Sequence, residues 1–358
     1  RDSVASRGLG DVYKRQSQGP ATSSTPVPSV ATSSTRAASA TSQAARDLPD
    51  PHTLRGLTEV PELPDPKPVE GSSAQKLPVT VTDVEGNKVT IKSTSRILAL
   101  DLYGTLSRTL IGLGLGDKIV GHTVSSTEKQ LHDRPVVTEN GHVLNVEAVA
   151  GLKPSVIIAD RSVGPKEALD QLRKSGIPVV LVDPHRSVGS TPQLIRTIAD
   201  AVGKPDAGEA LVKRTQEQID QAKKQIAAWK PAKPMRVAFL YVRGNAGVFF
   251  ILGSENGASE LIQGVGADDV ASDKGITTLV PANAESLVSI NPDAIFVMRD
   301  GLASTGGMKG LLARAGVANT TAGRKQRVIS IPDGISLSFG PQTGEVLTAV
   351  AKALYGVK

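Results

Sequence analysis

"NVEAVAGLKPSVIIADR" at residues 145–161 and "NAESLVSINPDAIFVMR" at 283–299 align without a gap. Asn145 matches Asn283, Glu147 matches Glu285, Pro154 matches Pro292 and Arg161 matches Arg299, and the apolar positions between them agree. Each copy reads as an asparagine N-cap, a short helix with a glutamate in its first turn, a proline that stops the helix, and a buried strand. A repeat of this kind implies two similar lobes.

Outward from the copies, β-branched runs ("RILALD" at 96–101, "SVIIAD" at 155–160, "PVVLVD" at 178–183) alternate with helical patterns such as "GTLSRTLIGLGLGD" and "VGPKEALDQLRKSG". Alternating strands and helices predict α/β lobes with mainly parallel sheets covered by helices. "VTVTDVEGNKVTI" at 79–91 alternates about a Glu85-Gly86-Asn87 turn and predicts a hairpin. Between the copies, "DAGEALVKRTQEQIDQAKKQIAAW" at 206–229 carries Leu211, Ile219, Ala222, Ile226 and Trp229 on one stripe. Fully helical, it would run about 36 Å, long enough to join two lobes across a ligand cleft. The expected organisation is a first lobe over 77–205, a connecting helix over 206–231 and a second lobe over 232–358.

Residues 1–76 read differently. "RDSVASRGLGDVYKRQ" has neither an initiator methionine nor an apolar leader, and is expected to be artefactual, the true start with any lipid-accepting cysteine lying upstream. From Ser17 to about Lys76 the chain is rich in Ser, Thr, Ala and Pro, the composition of a disordered tether. The 358 residues contain no cysteine, which excludes disulfides, thiolate metal sites and cysteine nucleophiles. The formal charge of +6 is spread along the chain without a basic block, which argues against nucleic acid. No nucleophile elbow, phosphate-cradling loop or paired-histidine motif points to catalysis, and "GLGLGD" reads as a helix end.

"FLYVRG" at 239–244 sets a phenol and a guanidinium at the end of an apolar strand. Alternation places Phe239, Tyr241 and Arg243 on one face. A strand-end tyrosine beside a surface arginine would leave the same trace. Histidines stand at 52, 122, 132, 142 and 185; His142 in "ENGHVLNVE" and His122 in "IVGHT" both lie near element ends, and the residues alone do not separate them.

"RILALDLYGTLSRTLIGLGLGDKIVGHT", the two Asn-x-Glu copies and the connecting helix resemble the substrate-binding proteins of iron-chelate and cobalamin ABC importers, and among them the haem-binding lipoproteins. The resemblance covers roughly residues 77–358. It implies an extracytoplasmic, lipid-anchored, monomeric binding protein on the outer face of the cell membrane that hands haem (ferric protoporphyrin IX) to an importer permease for iron uptake. In the haem-binding members a histidine of the first lobe and a tyrosine of the second ligate the iron, with an arginine hydrogen-bonded to the tyrosine; the matching positions are His142, Tyr241 and Arg243. A phenolate is an accepted axial ligand of ferric haem, and a neighbouring cation favours the ionised form. Glu147 and Glu285 would dock onto permease arginines, although the helix dipole alone accounts for a carboxylate there. Arg161 and Arg299, each directly after a strand, could meet the propionates or remain solvated. A siderophore or cobalamin binder, and a two-lobed chelatase, are the other readings.

Overall fold

Strands of the first lobe form where β-branched residues can be buried on both faces, and helices supply both covers. The computed structural model describes residues 47–71 and 73–358, so the expected artefactual start and the tether up to residue 46 lie outside the described residues. A four-stranded parallel sheet runs in the order Ile119–His122, Ile97–Leu100, Val156–Ala159, Val179–Leu181. Ile97, Ala99, Val156 and Ile158 pack under helices Thr105–Gly112 and Thr191–Ala201 through Leu106, Leu110, Ile195 and Ile198. Leu98, Leu100, Ile157 and Ala159 pack on the other side against Val149 of helix Val146–Gly151 and Leu169 and Leu172 of helix Lys166–Lys174. The period of two thus feeds two separate cores.

The second lobe repeats the plan around strand Arg236–Arg243. This strand pairs in parallel with Ala294–Met298, which pairs in parallel with Val328–Ile331. On its other side it pairs antiparallel with Val248–Leu252, followed by Leu279–Pro281. Val237 and Phe239 enter one core, Ala238, Leu240 and Val242 the other. The copied helices end alike: Lys153 (φ 49°) and Asn291 (φ 37°) take left-handed conformations directly before Pro154 and Pro292.

Helix Pro205–Trp229 joins the lobes. Its first half gives Ala207, Leu211 and Val212 to the first-lobe core, and its second half gives Ala222 and Ile226 to the second-lobe core. The C-terminal helix Thr343–Tyr355 lies against it closely at Gly344, where a β-carbon would stand 2.5 Å from the Gln218 carbonyl carbon and 2.8 Å from the Ile219 nitrogen.

The expected tether needs correcting over its last part. Leu57–Glu59 is an edge strand of the second-lobe sheet, paired in parallel with Val328–Ile331. Val60 is buried in the second-lobe core and Val69 in the first. Between them, the Asp65 carboxylate accepts from the amides of Lys129 and Gln130 at 2.9 and 3.0 Å, and the Pro64 carbonyl accepts from Gln342 at 2.7 Å. Residues 57–69 are therefore a strap from lobe to lobe. Its proline-rich composition conceals it, because it is held by backbone pairing and two isolated valines, and not by a periodic apolar face.

Gly344 offers a direct check on the helix contact. Gly344→Ala should destabilise the protein by about 1–3 kcal/mol, since the added carbon meets backbone that cannot swing away. Thermal or urea unfolding measures it, and an unchanged midpoint would show that the two helices are not in close contact.

Candidate functional site

Tyr241 and Arg243 leave the second-lobe sheet at the C-terminal end of its parallel strands, the edge at which open α/β sheets bind ligands. Phe239 below them is fully buried, while Tyr241 and Arg243, on the same face, are half-buried. Cross-strand partners complete the surface: Phe250 opposes Tyr241, and the exposed Val248 opposes Arg243. The Arg243 guanidinium carbon stands 4.9 Å from the centroid of the Tyr241 ring, a cation–π distance.

Arg243 is fixed by a carboxylate the sequence reading did not point to. Its Nη2 donates to Asp333 Oδ2 at 2.7 Å, and its Nη1 to the Val242 carbonyl at 3.1 Å. Asp333 Oδ1 accepts from the Asp300 amide at 2.8 Å. Burial pushes the Asp333 carboxyl above its ordinary value, opposed by the Asp300 amide and the Arg243 charge. The expected hydrogen bond from Arg243 to the tyrosine is corrected accordingly: the guanidinium lies over the ring, and its donors are directed elsewhere.

In the first lobe, His142 ends the turn of a hairpin between Thr138–Glu139 and Val143–Leu144. Asn140 (φ 50°) and Gly141 (φ 87°) turn the chain, and the His142 carbonyl accepts from Gly164 at 2.8 Å, leaving an exposed ring on a tied backbone. His122 is 6 % exposed, with Nδ1 2.7 Å from the Thr123 carbonyl and Nε2 enclosed without a partner. Burial therefore separates the two histidines where the sequence did not. Leu102, Val124 and Val136, all exposed, give the same sheet edge an apolar rim.

Behind that rim lies a buried ionic cluster. Arg186 Nη2 donates to Asp101 Oδ2 at 3.0 Å and Asp160 Oδ2 at 2.5 Å, and the guanidinium lies 5.2 Å from the Tyr103 ring centroid. Asp101 also accepts from the amides of Gly104 and Thr105 at 2.9 and 3.1 Å, fastening the start of helix Thr105–Gly112. Each lobe thus carries a tyrosine with an arginine on its ring, backed by two carboxylates in the first lobe and by one in the second. The available signal was the aspartate closing both "RILALD" and "SVIIAD".

The other expected arginines are committed to carboxylates. Arg161 donates to Glu85 at 2.7 and 2.8 Å and to Asp170 at 3.0 Å, which holds its guanidinium above its ordinary value. Arg299 pairs with Glu62 of the strap. The expectation of propionate-binding guanidinia thus meets two side chains already engaged in ion pairs. Glu147 and Glu285 are exposed in the first turns of their helices, whose caps are made: Asn145 accepts from Ala148 and Asn283 from Ser286, both at 2.9 Å. An open hollow of about 780 Å³ between the connecting helix, the C-terminal helix and the strap is lined by Gln218, Gln225 and Lys352 and contains none of these site residues.

The sequence profile of the periplasmic binding proteins matches residues 102–334. The chain belongs to that family. A relative, the uncharacterized ABC transporter substrate-binding lipoprotein YvrC of Bacillus subtilis (strain 168), is 27% identical over 280 residues, 78% of this chain and 86% of that protein. Among solved structures, the haem-binding protein HmuT is 49% identical, with a TM-score of 0.84, covering 87% of this chain and all of HmuT. Variants of HmuT with a histidine, a tyrosine or an arginine replaced by alanine match with TM-scores of 0.85. The periplasmic haem-binding protein RhuT of Roseiflexus sp. RS-1, in apo form, is 32% identical over 74% of this chain and 99% of RhuT, with a TM-score of 0.69.

The buried cluster makes stability depend on pH. Burial, and next the Asp101 charge, push Asp160 from 3.8 up to about 6, against Arg186. The folded state therefore holds this proton more tightly than the unfolded chain does, and the ionised carboxylate destabilises the fold above about pH 6. The cost is relieved as pH falls from 7 towards 4. In Asp160→Asn the slope of unfolding free energy against pH over that window should become more positive than in wild type, as urea unfolding at pH 5, 6 and 7 would show; parallel slopes would mean that Asp160 does not titrate there.

Proposed function

We propose that this protein binds haem between its two lobes and delivers it, outside the cytoplasm, to the permease of an ABC importer. The observation that carries the reading is the Tyr241–Arg243 pair, a phenol beneath a guanidinium at the ligand-binding edge of the second-lobe sheet, 4.9 Å from ring to cation. Ferric iron takes a phenolate, and a cation beside the phenol favours the ligating form. The exposed His142 offers a second ligand from the first lobe. Flanking apolar side chains, Phe250 and Val248 on one lobe and Leu102, Val124 and Val136 on the other, suit a flat hydrophobic macrocycle.

Support comes from HmuT, a haem-binding protein by name: the histidine, tyrosine and arginine replaced in its variants are spaced along that chain as His142, Tyr241 and Arg243 are here. Glu147 and Glu285, exposed at equivalent places on the two lobes, are read as the docking points for the permease. Arg161 and Arg299 serve as struts in this reading and reach propionates only by giving up their carboxylates. A lipid anchor upstream of the described residues, with the protein acting as a monomer, completes the proposal.

Titration of the purified protein with haemin should saturate at one equivalent, with a ferric spectrum altered in both Tyr241→Ala and His142→Ala. Unchanged spectra in both variants would remove the ligand assignment, and a response to His122→Ala in place of His142→Ala would move it to the buried ring.

Glu147→Lys combined with Glu285→Lys should leave haemin binding intact and abolish uptake in cells. Normal uptake by the double variant would reduce the pair to helix punctuation.

A further inference from the structure

The carboxylate that fixes Arg243 belongs to a segment of the second lobe that touches the first. Asp333 opens the short helix Asp333–Ser336, directly after strand Val328–Ile331 and Pro332. The next residue, Gly334, is buried against the first lobe. A β-carbon on Gly334 would collide with the Thr127 hydroxyl oxygen and stand 2.9 Å from Thr127 Cβ and 3.0 Å from its Cγ2. The Gly334 carbonyl in turn lies 3.6 Å from where a β-carbon of Gly104 would stand, next to Tyr103. Thr127 is itself held, its hydroxyl 3.4 Å from Arg108 Nη2, while Arg108 binds Gln342 of the second lobe at 2.6 Å.

A continuous set of contacts therefore runs from Thr127 of the first lobe through the Gly334–Asp333 backbone to the Asp333 carboxylate, on to Arg243 and the ring of Tyr241. With Thr127 in place there is no room for a β-carbon at 334, because the lobes meet backbone to side chain there. We propose that Asp333 and Gly334 form a positioning element that couples lobe contact to the tyrosine: while the lobes touch, Thr127 seats the Gly334 backbone and with it the Asp333 carboxylate that holds Arg243 over Tyr241, and when they part that seat is lost, the short helix shifts and the carboxylate no longer fixes the guanidinium over the ring. This inference rests on Tyr241 ligating haem, and assigns to an otherwise unremarked aspartate and glycine the link between lobe separation and haem release. Its physical basis is that a guanidinium held by a carboxylate has one orientation, whereas a free arginine side chain has many.

The test uses the full-length chain, haemin and the ferric absorption spectrum, with Tyr241→Phe as the reference. Asp333→Asn should shift the tyrosine-dependent band and weaken haemin binding roughly tenfold, the order expected for one lost charge-assisted hydrogen bond; Asp333→Glu, which keeps the charge, should recover part of both. Gly334→Ala, whose added carbon meets Thr127, should shift the same band, and Thr127→Gly in the same molecule should restore it by making room. If the wild-type spectrum does not depend on Tyr241, the functional reading fails. If it does, and Gly334→Ala keeps the wild-type band and affinity, the coupling proposed here is overturned whatever the Asp333 variants do. Should Gly334→Ala not fold, Thr127→Gly alone, which opens the contact from the first-lobe side, decides: a wild-type band and affinity in that variant would overturn the coupling.

Discussion

One apolar stripe on one helix holds this molecule together. Pro205–Trp229 inserts Leu211 and Val212 into the first-lobe core and Ala222 and Ile226 into the second, so that neither core is complete without it. A helix continuous over that length resists bending, since each turn is fastened to the next. The strap of residues 57–69 crosses the same divide with Val60 in one core and Val69 in the other. Two crossings, one stiff and one extended, set the lobes edge to edge, and each lobe then offers the other the C-terminal end of its parallel strands.

What those ends carry follows from strand alternation and from the cost of burying charge. Tyr241 and Arg243 share a face because they are two apart on a strand, and that face continues into a core that has already consumed Phe239. An arginine at such a place needs a carboxylate, and the second lobe supplies Asp333 from a neighbouring strand end. The first lobe solves the same problem with two aspartates on Arg186, and there the arrangement is fully enclosed. The second-lobe pair stays half-buried and open to solvent. The enclosed cluster, in which one positive charge faces two negative ones, suits a fixed scaffold for the loop that begins helix Thr105–Gly112.

The departures from expectation share a physical origin. The strap has the composition of a disordered linker, and its order comes from edge pairing with Val328–Ile331, an interaction made by backbone that no side-chain pattern announces. Arg161 and Arg299 sit at matching places in a sequence repeat and seemed equally available to an anionic ligand. Their partners, Glu85 in a distant hairpin turn and Glu62 in the strap, are brought to them by the fold. His122 and His142 look alike as loop-edge histidines, and only packing leaves the first inside and the second outside.

Local rules sufficed for the architecture. The gapless repeat, the β-branched runs and the stripe on residues 206–229 foretell two α/β lobes and the helix between them, because periodicity and chain-stopping residues act over a few neighbours. The same rule places Tyr241 beside Arg243. Tertiary structure decided which charges meet: Asp333 with Arg243 across 90 residues of chain, Arg186 with Asp101 across 85, and Gly334 with Thr127 from the other lobe. Such pairs depend on the relative placement of strand ends and lobes. That placement is the sum of all the packing in both cores, and no single stretch of the chain encodes it.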